Sequence, residues 1–74
     1  MALPVVPGRK VIKALTKAGF SVAGKRGSHV KLKRKFDGKV YVVIVPVHAV
    51  LARGTLKSIL RQANITREDF LRLL

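Results

Sequence analysis

Gly27-Ser28-His29 heads a lysine-studded segment, and it is here that the chain has the means for chemistry. From Lys25 to Lys39 the sequence holds seven Lys and Arg, one acid (Asp37) and that single imidazole. A histidine titrates near pH 6.5, so about neutral pH it takes and gives protons readily. Clustered cations attract phosphate. Together these types suit RNA cleavage. RNA needs no metal to break, because its own 2′-hydroxyl attacks the adjacent phosphorus. A protein must take the proton from that hydroxyl, neutralise the phosphoryl oxygens and return a proton to the departing 5′ oxygen. His29 is the candidate proton carrier, a role typically worth about 10²- to 10⁴-fold. Lys25, Arg26, Gly27, Ser28, Lys31, Lys33 and Lys35 are the candidate phosphate contacts, with Lys31 or Lys33 placed to stabilise the developing charge.

His48 is the candidate auxiliary. If Asp37-Gly38 is a two-residue hairpin, paired residue numbers sum to 75, which sets His29 across from Pro46 and Lys31 across from Ile44. His48 then lies about two residues, or ~7 Å of strand, beyond the partner of His29. Each residue also has a plainer reading. A histidine at a loop-to-strand junction commonly serves as a surface hydrogen-bonding group, Gly27 serves its turn, and alternating lysines form a solvated face.

Other chemistries lack their parts. Two histidines and three acids (Asp37, Glu68, Asp69) offer no metal-ligand cluster. No glycine-rich loop leads from a strand into a helix, and there is no cysteine, so neither a nucleotide cradle nor a thiol nucleophile is expected. No metal and no cofactor is anticipated.

The elements that position these residues follow from apolar spacing. Val11, Ile12, Leu15 and Ala18 mark one stripe of a helix starting near Gly8 and stopping at Gly19. Phe20–Ala23 reads as a first strand, followed by a loop over 24–27. Ser28–Phe36 alternates, with His29, Lys31, Lys33 and Lys35 on one face and Val30, Leu32 and Phe36 on the other. Asp37-Gly38 turns it back into a β-branched strand over Lys39–Val45, closed by Pro46. Leu56, Ile59, Leu60 and Ala63 mark a second helix beginning at Gly54-Thr55 and ending at Asn64. Thr66 caps a short last helix, with Asp69 in its first turn. Phe20, Phe36, Phe70 and Tyr41 are expected in the core. The order predicts an α+β sandwich, α-β-β-β-α, like a double-stranded RNA-binding domain: a three-stranded antiparallel sheet with both helices on one face.

Composition bounds the rest. Seventy-four residues make one domain, 1–74, with 1–7 as a loose arm because Pro4 and Pro7 discourage helix. Sixteen Lys and Arg against three Asp and Glu leave a net charge of +13, which a polyanion would relieve. The longest apolar run, Val40–Val47, is far short of the ~20 residues a membrane-spanning helix needs, and no signal peptide opens the chain. A cytoplasmic location is the expectation.

The sequence resembles the HicA toxins of HicA–HicB toxin–antitoxin systems. The resemblance rests on Lys13-Ala14-Leu15 through Gly19-Phe20, Gly27-Ser28-His29, Val45-Pro46 with His48, and Gly54-Thr55-Leu56 through Ile59-Leu60. It implies a double-stranded-RNA-binding-like fold and an endoribonuclease, an mRNA interferase, whose catalytic histidine falls on His29. It implies a HicB antitoxin that covers the active face, and Val40, Val42 and Ile44, expected beside the lysine row, are the surface predicted to meet it. The alternatives from the residues alone are a non-catalytic double-stranded RNA-binding module and a subunit that docks on an acidic protein.

Overall fold

Two tight turns build the sheet. The computed structural model describes residues 3–74. Asp37 and Gly38 both have positive φ, 53° and 77°, as in the type I′ turn whose twist matches its flanking strands. They join β3 (His29–Phe36) to β4 (Lys39–Pro46). Gly27 has φ 59° while Ser28 does not share the left-handed region, the pattern of a type II′ turn with glycine first. It joins β2 (Ser21–Arg26) to β3. The sheet is antiparallel in the order β2-β3-β4, and its register pairs His29 with Pro46, Lys31 with Ile44 and Phe36 with Lys39. Those are the pairs that the Asp37-Gly38 hairpin predicts.

The pleat then sorts the side chains. Val30, Leu32, Val43 and Val45 turn inward and are buried. Against them pack the apolar stripes of α1 (Gly8–Lys17) and α2 (Arg53–Ala63), through Val11, Ala14, Leu15, Leu56, Ile59 and Leu60. The short α3 (Arg67–Leu73) contributes Phe70, which is fully buried. Each helix ends as its sequence signals. After α1, Phe20 N–H donates to Leu15 O and Gly19 N–H to Thr16 O, with Gly19 at φ 104°. After α2, Ile65 N–H donates to Leu60 O while Asn64 takes the left-handed position. Asp69 N–H donates to Thr66 Oγ1, the cap expected for α3. The architecture is α+β, a three-stranded antiparallel sheet with its helices on one face. Among the described residues no helix is long and apolar enough to cross a membrane.

Four local expectations are corrected. Residues 3–7 are not loose: Val6–Pro7 form β1, paired with β5 (Val50–Leu51), Leu3 and Val6 are buried, and Arg53 Nε donates to Leu3 O at 2.8 Å. Two-residue strands carry no periodicity to read, and Pro7 is tolerated because this ribbon is all edge. Met1 and Ala2 lie outside the described residues. The first strand does not stop at Ala23; a bulge between Val22 and Gly24 absorbs one residue and pairing continues through Arg26. Phe36 is 53% exposed, because it borders the hairpin turn beyond the reach of the helices, and the Arg34 guanidinium covers its ring at 4.7 Å. Helix α2 begins at Arg53, one residue before Gly54.

Candidate nucleic-acid interface on the sheet

The face of the sheet turned away from the helices carries the sequence-predicted residues. Alternation from Val30 and Leu32 puts His29, Lys31, Lys33 and Lys35 on this face, and all four are exposed. The Gly27-Ser28 turn pairs Arg26 with His29 across the hairpin. An open hollow there is lined by Gly24, Lys25, Arg26, His29, Lys31 and Ile44. Gly24 belongs to it because the bulge delivers a residue without a side chain opposite Lys31, and Ile44 because it pairs with Lys31 from the other strand. Gly24 was not singled out from sequence, and Ile44 was read there as antitoxin surface opposite Lys31 rather than as part of this hollow. An isolated glycine in a strand pattern is the signal that points to such a bulge.

The residues are thus gathered unevenly. Lys25, Arg26, His29 and Lys31 share the hollow, with Gly27 and Ser28 forming the turn that bounds it. Lys33 and Lys35 share the face but lie outside the lining, about 14 and 20 Å along the strand from His29 at the usual rise. His48 is exposed on the bend over 47–49 and does not line the hollow. The bend itself is fixed next to the turn: Val47 N–H donates to Ser28 O at 2.7 Å, and Gly8 N–H donates to Ala49 O at 2.9 Å. The start of α1, the end of β4 and the turn before His29 are therefore one hydrogen-bonded junction.

A second feature accompanies the lysines. Val40, Val42 and Ile44 of β4 lie on the same face, and Val40 and Ile44 are each more than half exposed. An apolar strip beside a cationic row on an edge strand is suited to a protein partner carrying apolar and acidic groups. Among the described residues no three His, Asp or Glu side chains gather as a metal site would require. The hollow therefore combines one exposed imidazole with the side chains of Lys25, Arg26 and Lys31.

No curated protein matches the chain. The family model described as HicA toxin of bacterial toxin–antitoxin matches residues 8–65, a stretch that begins at α1 and runs past the end of α2 with the whole sheet between them. With α1, α2, the three-stranded sheet and the Gly27-Ser28-His29 turn inside that match, the chain belongs to the HicA family of toxins from bacterial toxin–antitoxin systems.

Proposed function

We propose that this toxin is an endoribonuclease that cleaves messenger RNA, with His29 as its general acid and base and a HicB-type antitoxin as its inhibitor. The observation that carries the reading is the placement of an exposed imidazole in a hollow with Lys25, Arg26 and Lys31, on a face that also carries Lys33 and Lys35. RNA laid on this face meets phosphate contacts along β3 and a proton carrier at its end. The imidazole of His29 takes the proton of a 2′-hydroxyl, and the freed oxygen bonds to phosphorus. The bond from phosphorus to the 5′ oxygen breaks, and the imidazolium returns its proton to that oxygen. Arg26 and Lys31 hold the non-bridging oxygens while their charge grows. Backbone contact of this kind reads shape more than sequence. Val40, Val42 and Ile44 give the antitoxin its apolar footing, so covering the strip also covers the hollow.

The test is an oligoribonucleotide with one 2′-deoxy substitution at a mapped cleavage site. Loss of cleavage at that site alone, with a 2′,3′-cyclic phosphate on the products of the unmodified RNA, supports the mechanism. Cleavage that ignores the substitution overturns it. Binding without any cleavage favours the non-catalytic RNA-binding module.

A further inference from the structure

The helix layer bears cations of its own, on the opposite side of the molecule from the hollow. Lys10, Lys13 and Lys17 stand on the exposed side of α1, and Arg53, Lys57 and Arg61 on the exposed side of α2. The arginine and lysine of α2 recur every four residues, about 6 Å of helix rise per step, and so form one stripe. The segment from Leu3 to Val6 crosses between the two helices: Pro4 and Val6 border the lysines of α1, while Leu3 borders Arg53, Lys57 and Arg61. Arg53 spends one of its donors on Leu3 O, which steadies its guanidinium and leaves the others available.

The two charged faces differ in kind. On the sheet, the lysines stand beside the exposed Val40, Val42 and Ile44. On the helix layer the large exposed apolar side chains are Val5 and Leu74, one from each end of the chain and neither from α1 or α2, so they form no strip along the six cations as Val40, Val42 and Ile44 do along the sheet lysines. Protein interfaces are built around an apolar centre and are poor in lysine. Phosphate needs only cations at intervals.

We infer that the helix layer is a second RNA-binding surface, which tracks the phosphate backbone through Lys10, Lys13, Lys17, Arg53, Lys57 and Arg61 and works independently of the sheet face. The inference rests on the RNA-cleaving reading for its choice of polyanion. It has a consequence for inhibition: a protein that covers the sheet face leaves this one open, so blocking cleavage does not release the RNA.

Binding of a structured RNA is measured against salt concentration, with His29→Ala in every protein so that the RNA stays whole. Each phosphate contact removed lowers the slope of log K on log salt by roughly 0.7 to 0.9. R53Q/K57Q/R61Q and K10Q/K13Q/K17Q should therefore each flatten the slope by about 2 to 3, and K13Q or K57Q alone by about 1. K31Q/K33Q/K35Q on the sheet should add its own loss to theirs. Single substitutions at exposed positions keep the test valid should a triple variant fold poorly. Unchanged slopes in the helix variants, with a loss on the sheet variant, overturn the second surface and leave the cleaving reading standing. Weak, salt-insensitive binding by His29→Ala itself overturns both and points to an acidic protein instead.

Discussion

At the residue scale, the proposed chemistry separates cations that stabilise charge beside His29 from cations that only hold RNA. Lys31 lines the hollow with His29, whereas Lys35 lies about 20 Å from His29 along the strand. Lys31→Gln should therefore lower kcat by about 10- to 100-fold, within the range seen when one charge-stabilising donor is lost. Lys35→Gln should raise KM and leave kcat nearly unchanged. Equal kcat losses in both would show that the lysine row acts as a uniform field. His29 was legible from sequence because Gly27-Ser28 marked a turn and alternation placed the lysines on its side. Gly24 was not, since its membership of the hollow depends on a bulge, whereas the pairing of Ile44 with Lys31 followed from the hairpin register. His48 was expected near His29 from register arithmetic, and the junction brings Val47 to Ser28 without placing His48 in the lining.

Elements position that site through two features. The first is Gly8, where a Cβ would stand 1.7 Å from Pro46 O and 3.2 Å from Val47 Cα. Only glycine lets α1 begin against the end of β4. Gly8→Ala must push that junction apart, at a cost of about 1–3 kcal/mol or more. For a domain of this size the midpoint of thermal unfolding should fall by roughly 10 °C, and a change under about 2 °C would contradict the role given to the contact. The second is the exposed strip on β4. A charge at Val42, as in Val42→Asp, should weaken antitoxin binding by at least tenfold while leaving the fold intact, because the side chain is already partly exposed. Unimpaired binding would move the inhibitor to another surface. Both hairpins and both helix stops were readable, because Asp-Gly, Gly-Ser, Gly19 and Asn64 each carry a local conformational demand. The β1–β5 ribbon was not, since its pairing joins residues more than forty positions apart with two residues a side.

For the molecule as a whole, charge dominates. Sixteen cations against three acids leave +13 on 74 residues, and one of those acids, Asp69, is paired with Arg72 at 3.5 Å. Burial is entirely apolar among the described residues, so no buried ion pair offsets the repulsion at the surface. Raising sodium chloride from about 10 to 150 mM shortens the screening length from about 30 to 8 Å. The melting temperature should rise by several degrees as a result, at about 4–8 °C per kcal/mol of repulsion removed. A fall on adding salt would mean that attractive surface pairs outweigh repulsion. The charge balance was plain in the sequence; its division between a sheet face with an apolar strip and cation stripes on α1 and α2 required the fold.

The central claim, cleavage through His29 without a metal, is tested most directly by a labelled structured RNA incubated in EDTA with the parent protein and with His29→Ala. Cleavage by the parent, a loss of at least about 100-fold in the variant, and equal RNA binding by both are the predicted results. Cleavage by both proteins would contradict the role of His29 and turn attention to His48, and cleavage that stops in EDTA would contradict the metal-free mechanism.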